Sequence, residues 1–208
     1  MELLFDGDLG DPVFVMAHGA GAAMDARGMT DLASRIAARG IRVVRFEFGY
    51  MAGRRSGVRR PPPRAETLLD EYSAVVAEVG GRPVIGGRSM GGRVASMIAD
   101  EQYDSGAVAG LVCLSYPWHP PEKPDQPRIA HLLGLRTPTL ICQGTRDPFG
   151  SPSEVVGYGL PSSIEVLWFE DGDHDLRPRK AVSGFTAAQH LDTAAAAVAV
   201  FIRRVTAS

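Results

Sequence analysis

The chain has 208 residues, of which 45% are hydrophobic and 22% charged, and these ordinary values predict one globular domain over residues 1–208. A net charge of −2 argues against the basic surface that nucleic-acid binding requires, so no nucleic-acid partner is expected. No apolar run reaches the roughly 18 residues of a membrane span, so no membrane partner is expected either.

Predicted strands and helices alternate along the sequence. The strands are rich in Val, Ile and Leu without strict alternation, which is typical of strands buried on both faces of a parallel sheet. Repeated strand–helix units favour an α/β fold with a doubly wound, mostly parallel open sheet. The predicted strands are 13–17, 41–46, 83–86, 111–115, 139–143 and 164–169, with 2–5 as an optional edge strand, and the predicted helices are 24–38, 65–79, 90–100, 151–158 and 185–205.

Two irregular segments follow predicted strands, at the carboxyl edge of the sheet where ligands bind in such folds. Segment 49–63 carries Arg54, Arg55, Arg59 and Arg60, and we interpret this run as a solvated loop, with an anion-recruiting rim as the alternative. Segment 117–138 holds six prolines and room for one short helix at 129–133. It is too short for a core of its own, so a site at this edge is expected to be shallow or covered only by loops.

The N-terminal residues and the two cysteines indicate the cellular compartment. The N-terminus has acidic residues where a signal peptide has basic ones. Cys113 and Cys142 lie in predicted core strands, where reduced thiols fit better than a disulfide framework, although a chance pairing of neighbouring strands stays open. We therefore expect a cytoplasmic protein.

The segment Gly86-Gly-Arg-Ser-Met-Gly-Gly92 stands between a predicted strand and a predicted helix. This Gly-x-Ser-x-Gly pattern is typical of a nucleophile elbow, a sharp turn that projects the hydroxyl of Ser89 out of the sheet. Side chains at Gly87 and Gly91 would collide with neighbouring elements. The amide of Met90 would then face the position of a developing oxyanion.

Asp147 and His174 follow Ser89 in the chain, each just past the end of a predicted strand. In this order they predict a catalytic triad: His174 takes the serine proton, and Asp147 orients the imidazole. Three acids around the histidine, Asp171, Asp173 and Asp175, leave an alternative orienter open. They also suggest a calcium loop, but the glycine and the terminal glutamate of such a loop are not at the required positions, so neither a metal nor a cofactor is predicted.

The loop after the first core strand reads Ala17-His-Gly-Ala-Gly21, and its small residues favour Ala20 as the second oxyanion-hole amide. His18 is expected to brace this loop rather than to perform chemistry.

Five residues are candidates for the substrate pocket: Tyr50, Met51, Arg88, Trp118 and His119. Simple packing beneath the proline-rich segment is an equal alternative for Trp118 and His119. Arg88 and Arg93 could meet an anionic substrate group, but pairing with structural carboxylates is the favoured interpretation.

Together these motifs resemble the α/β-hydrolase superfamily over nearly the whole chain. The chain looks most like its small, capless predicted-hydrolase group, which is related to testis-expressed and NSL-complex subunits. Segments Met16–Asp25, Gly87–Arg93, Tyr116–Pro121, Gln143–Asp147 and Asp171–Asp175 carry that narrower likeness. The chain is also similar in size to dienelactone hydrolases, but Ser89 stands where those carry cysteine, so their substrates are not transferred.

This resemblance implies a minimal hydrolase fold without a cap domain, and it settles no substrate. We predict a serine hydrolase that acts through an acyl-enzyme on a small-molecule ester, thioester or related acyl compound. Two alternatives stay open: an acyltransferase that uses the same triad, and a non-catalytic binding or scaffold module, because some eukaryotic members of the group act as scaffolds.

Overall fold

The structure, a computed structural model, describes residues 2–55, 57–58 and 60–207. Its strands form one sheet in the order β1-β3-β2-β4-β5-β6-β7, in which only β1 runs antiparallel to its neighbour. The predicted mostly parallel sheet is therefore confirmed, and residues 2–5 supply most of its antiparallel edge. The strands are β1 Leu3–Asp6, β2 Val13–Ala17, β3 Arg42–Phe46, β4 Val84–Arg88, β5 Gly110–Leu114, β6 Thr139–Gly144 and β7 Ile164–Phe169.

Helices cover both faces of the sheet, as the doubly wound prediction requires. Two short 3-10 turns, Ala65–Thr67 and Val156–Tyr158, adjoin α3 and α5. The α-helices are α1 Arg27–Ala37, α2 Gly49–Arg55, α3 Leu69–Val79, α4 Met90–Asp104, α5 Pro152–Val155, α6 Lys180–Ser183 and α7 Ala187–Thr206. Among the described residues, none of these helices is both long and apolar enough to cross a bilayer.

The hydrophobic core is divided by the sheet into two layers. Successive residues of a strand point to opposite faces, so Val15 and Ala17 pack under α3 and α4, whereas Phe14 and Met16 pack under α1 and α7. Helix α7 approaches the sheet closely because Ala194 and neighbouring small residues are fully buried there. Both faces of the central strands are therefore dry, which explains their unbroken apolar sequences.

The two cysteines lie on neighbouring strands but in different layers. Cys113 belongs to the layer under α4, and Cys142 belongs to the layer under α7. Both are free thiols, and burial raises the pKa of each. A disulfide between them would have to pass through the sheet, so the expected reduced state follows from the topology.

Three local expectations were wrong. Segment 49–63 is not wholly irregular, because residues 49–55 form α2, which Arg55 ties to Glu47 through hydrogen bonds of 2.8 and 2.9 Å. Helix α1 begins at residue 27 rather than 24, because Ala26 donates back to Ala23 in a turn and the Met24 carbonyl accepts from the Arg45 guanidinium at 2.6 Å rather than from a helical amide. Residues 129–133 form tight turns, in which Leu132 donates back to Ile129.

Segment 117–138 is short, but it is anchored to the body of the protein. The Trp118 side chain is fully buried, and its carbonyl accepts a 2.6 Å hydrogen bond from the Arg128 amide. The Arg128 carbonyl in turn accepts from the buried Tyr116 hydroxyl at 3.0 Å. The amide of His119 donates to the Phe149 carbonyl, so the segment is joined to the loop after β6.

Candidate active site

Ser89 occupies a strained turn between β4 and α4. Its φ of 49° and ψ of −115° are rare for a residue with a side chain, and its amide donates to the Leu114 carbonyl at 2.9 Å. A Cβ atom at Gly87 would lie 2.4 Å from the Ala17 carbonyl oxygen, and one at Gly91 would lie 2.6 Å from the His18 carbonyl oxygen. The glycines of the motif therefore let α4 pack directly against the β2 end.

The hydroxyl of Ser89 begins a chain of hydrogen bonds. Its Oγ lies 2.9 Å from Nε2 of His174, and Nδ1 of the same ring lies 2.8 Å from Oδ2 of Asp147. The Asp147 side chain is completely buried. Its Oδ1 accepts from the Phe149 amide at 2.9 Å, and its Oδ2 also accepts from the Gln143 side-chain amide at 2.8 Å. The structure thus brings the three expected residues into the geometry of a nucleophile, a base and an orienter.

The other acids near His174 are engaged elsewhere. The largely buried Asp171 binds the Arg179 side chain, and this hydrogen bonding holds the pKa of Asp171 below its usual range. Asp173 accepts from two backbone amides of its own loop, and Asp175 pairs with Arg88. None of the three contacts the imidazole of His174, so Asp147 is the acid that orients it.

A second serine–histidine pair lies further along α4. The Ser96 Oγ is 2.9 Å from Nε2 of His131, but this serine is buried and donates to the Arg93 carbonyl. Burial is the main cause that lowers the pKa of His131 to about 4. Within the part of the chain described here, no carboxylate forms an ion pair with this ring. The pair therefore lacks both the exposure and the orienting acid of the Ser89 site.

The loop after β2 lies beside the serine and is held rigidly. His18 is fully buried, its Nδ1 donates to the Gly19 carbonyl at 2.7 Å, and its Nε2 accepts from the Phe48 amide at 3.2 Å. Burial lowers the pKa of His18, so the ring stays neutral and braces the loop. The Tyr50 hydroxyl donates to the Ala20 carbonyl at 3.1 Å, which adds a second brace.

An open cleft of about 580 Å³ adjoins the serine. Ala20 and Met90, the two candidate oxyanion-hole residues, line it together with Ser89. The remaining lining comes mainly from the segment before α3 and from segment 117–138: Pro62, Pro63, Arg64, Ala65, Glu66, Arg93, Pro117, Pro120, Gln126, Arg128 and Phe149. The cleft is therefore bordered mainly by loop segments rather than by a cap domain, as expected.

None of the five residues expected to form the pocket wall lines this cleft. Trp118 and His119 are buried beneath segment 117–138, because packing is favoured over exposure for an indole and an imidazole there. Met51 lies on the buried side of α2, and Tyr50 faces a neighbouring cavity of about 530 Å³. Their positions after strand ends predicted proximity to the cleft but could not predict the direction of each side chain.

The arginines near the elbow pair with carboxylates. Arg88 lies behind the site, where it binds Asp175 and donates to the His174 carbonyl at 3.2 Å, so it braces the histidine loop. Arg93 does line the cleft and pairs with Glu66 at 2.6 Å. In the run at 54–60, Arg55 pairs with Glu47, and Arg59 lies outside the described residues.

Two residues of the site were not predicted by the sequence analysis. The ring of Phe149 lies against that of His174, with 4.3 Å between the centroids, and also lines the cleft. Gln143, at the end of β6, donates to the same Asp147 oxygen that His174 contacts. The position of Gln143 four residues before the acid, on a buried strand, is the sequence signal that could have revealed it.

The contact to Asp147 makes Gln143 a positioning residue. We expect Gln143→Met to lower kcat of any triad-dependent reaction by about 3- to 30-fold with little change in KM, because the buried carboxylate loses one donor but the cleft is untouched. Steady-state kinetics of the purified variant measure this split. Gln102→Met on α4, remote from the triad, is the matched control. A rise in KM at constant kcat would contradict the assignment.

The chain was compared with families and with solved structures. The model of a family described as "Alpha/beta hydrolase domain" matches residues 10–203. An alpha-beta serine hydrolase homologue from Coxiella burnetii is similar at 18% identity with a TM-score of 0.70, over 98% of this chain and 90% of that one. A serine hydrolase without a lid from Xanthomonas campestris is similar at 19% identity with a TM-score of 0.65, over 97% of this chain and 88% of that one.

Est1E from Butyrivibrio proteoclasticus, solved with ferulic acid bound, is also similar. It shares 16% identity with a TM-score of 0.69, over 100% of this chain and 96% of that one. At such identities these likenesses concern the fold alone.

Proposed function

The chain belongs to the α/β-hydrolase domain family, and from that premise we propose that it is a serine hydrolase that cleaves a small ester, thioester or related acyl compound. The fold is the minimal form without a cap, as in the lidless structural neighbour. The hydrogen-bonded chain Ser89–His174–Asp147 is the observation that carries the proposal. A scaffold protein has no need of a buried acid, an oriented imidazole and a strained serine in line.

In the proposed reaction, Ser89 Oγ attacks the carbonyl carbon of the substrate while its proton passes to His174 Nε2. The carboxylate of Asp147 stabilises the imidazolium and keeps Nδ1 protonated. His174 then gives the proton to the leaving group, and the acyl chain stays on Ser89 as an ester. Water, activated by the same imidazole, attacks this ester and releases the acid, which restores the serine hydroxyl.

The negative oxygen of the tetrahedral intermediate needs fixed donors. We assign this role to the amides of Ala20 and Met90, since both residues line the cleft beside Ser89. Met90 is the first residue of α4, so its amide lies at the positive end of a helix. The braces on the loop from His18 and Tyr50 support the role of Ala20, because a donor that cannot move stabilises charge most effectively.

A small acyl substrate is supported by the dimensions of the cleft and by its lack of a cap. Among structural neighbours of the same fold, one is described as an esterase domain and another as a thioesterase domain, and Est1E holds ferulic acid. The group related to testis-expressed and NSL-complex subunits stays a prediction for this chain.

Labelling with a neutral fluorophosphonate probe tests the proposal. We expect one probe per chain, and peptide mass spectrometry should find it on Ser89. Release of 4-nitrophenol from acetyl and butyryl esters should saturate with substrate. Absence of labelling together with absence of turnover would contradict the proposal and favour a binding module.

The length of the substrate's acyl chain gives a further test of the open cleft. We expect 4-nitrophenyl acetate to butyrate to be cleaved with higher kcat/KM than the dodecanoate, measured in one series at fixed pH. A buried methylene contributes about 0.8 kcal/mol only where a wall covers it, and the proposed wall residues Trp118 and His119 lie buried away from the cleft. A steady rise of kcat/KM from acetyl to dodecanoyl would require a tunnel and would contradict this expectation.

A further inference from the structure

The cleft beside Ser89 is more positive than the chain as a whole. It is lined by Arg64, Arg93 and Arg128, and Glu66 is the single acidic residue in its lining. Glu66 is committed to Arg93 through a 2.6 Å ion pair, and this pairing leaves two guanidinium groups in excess. The whole chain, by contrast, has a net charge of −2. A local excess of positive charge in a concave site attracts and concentrates anions.

Arg128 carries one of the two guanidinium groups that the pairing of Glu66 with Arg93 leaves in excess. Its side chain is partly buried, and within residues 2–55, 57–58 and 60–207 it forms neither a hydrogen bond nor an ion pair. Burial, followed by the nearby charge of Arg93, lowers the pKa of the Arg128 guanidinium. A partly buried guanidinium without a side-chain partner is stabilised when an anionic ligand pairs with it.

The backbone of Arg128 is nevertheless fixed. Its amide donates to the Trp118 carbonyl and its carbonyl accepts from the Tyr116 hydroxyl, and both of those residues are fully buried. The Nε of Arg93 is also buried without a hydrogen-bond partner. Two arginines at the cleft are thus held on a fixed backbone, and some of their N–H groups lack a hydrogen-bond acceptor. Fixed, under-satisfied guanidinium groups are typical of carboxylate and phosphate recognition.

We propose that Arg128, assisted by Arg93 and Arg64, binds an anionic group of the substrate, a carboxylate or a phosphate, while the scissile carbonyl lies at Ser89. This inference rests on the proposed hydrolase function and narrows its substrates to anionic esters or thioesters. The neutral proline surface of the cleft, from Pro62, Pro63, Pro117 and Pro120, would contact the carbon chain between the two groups.

Binding and turnover are tested separately. Calorimetry with adipate and with inorganic phosphate measures the anion site without any reaction and distinguishes the two kinds of anion. Turnover is compared between 4-nitrophenyl hydrogen adipate and its neutral methyl ester, in which one methyl group removes the terminal charge. The variants are Arg128→Gln and Arg128→Lys. Lys123→Gln, an exposed residue of the same segment outside the cleft lining, removes the same charge as a control.

We expect at least one anion to bind the unmodified protein, and Arg128→Gln to weaken that binding about tenfold or more, as the loss of one charge-assisted contact implies. The kcat/KM ratio of the hydrogen adipate to its methyl ester should fall by a similar factor. Arg128→Lys should recover part of the anion affinity and part of the kcat/KM ratio. Lys123→Gln should change neither the affinity nor the ratio. Added salt should lower the ratio, because the contact is open to solvent.

Three results would decide against the proposal: no binding of either anion, equal binding by Arg128→Gln, or turnover without preference for the charged ester. Thermal melting of Arg128→Gln checks that the variant is folded. If the fluorophosphonate probe does not label the protein and no ester is cleaved, but an anion binds and needs Arg128, the hydrolase function fails and the anion site stands.

Discussion

Replacement of Ser89 by alanine should lower kcat for any ester substrate by roughly four to six powers of ten and abolish fluorophosphonate labelling. The reason is that no other group can take the place of the hydroxyl next to His174 Nε2, 2.9 Å away. Folding should be preserved, since the Ser89 amide keeps its hydrogen bond to the Leu114 carbonyl. Stopped assays over hours measure the residual kcat, and thermal melting measures whether the variant is folded.

Ser96→Ala is the matched control for this experiment. Ser96 also touches a histidine ring, but it is buried and its hydroxyl serves the backbone of α4. The Ser96 variant should still be labelled at Ser89. Labelling that survives in Ser89→Ala and disappears in Ser96→Ala would transfer the nucleophile to the second pair.

Replacement of Asp147 by asparagine should lower kcat by about four powers of ten, although the two side chains have nearly the same shape. The Phe149 amide, 2.9 Å from Oδ1, requires an acceptor at that position and so fixes the asparagine oxygen there. The Gln143 amide, which donates to Oδ2 of Asp147, has a buried oxygen without a partner, and by turning it can accept from the new nitrogen instead. The new amide nitrogen then faces His174 Nδ1 and donates to it. This forces the proton of the ring onto Nε2, which can no longer accept from Ser89.

Asp173→Asn is the control for the acid. Among the described residues, the hydrogen bonds to its carboxylate come from the amides of residues 175 and 177, and an asparagine carbonyl can accept the same two. We expect a loss of less than tenfold in kcat for this variant, measured beside Asp147→Asn on the same ester. A larger loss at residue 173 than at residue 147 would show that the wrong acid has been assigned.

Much of the fold could be predicted because burial dictates the strand sequences. β2 and β7 begin and end at the predicted residues, since each is a mostly apolar run between turn-forming residues, with Glu165 as the exception in β7. The predicted helix boundaries were wrong where a contact made by one side chain overrides local helix propensity. Two contacts show this: the Arg45 guanidinium binds the Met24 carbonyl, so α1 starts later, and the Glu47 carboxylate binds Arg55 and supports α2. No periodicity in either segment reveals such a contact.

For the site, chain order and strand ends were sufficient to select Ser89, Asp147 and His174 as a group. Strand ends also place a residue near the cleft, but they do not determine which way its side chain turns. Trp118 turns inward, and Gly150 allows this, because a Cβ there would lie 2.4 Å from the indole. Arg128, ten residues further along the same proline-rich segment, lines the cleft, but nothing in the sequence distinguishes it from a solvated arginine.

The anchoring of segment 117–138 has a kinetic consequence. A lipase with a hinged lid changes rate abruptly when its substrate forms droplets or micelles, because the interface opens the lid. Here Trp118 is locked in the core, and the His119 amide is bonded to the loop that carries Asp147. The segment cannot swing without disturbing the acid, so substrate should reach Ser89 without a gating step. We therefore expect no interfacial activation: the rate should depend on dissolved substrate alone and pass smoothly through the critical micelle concentration.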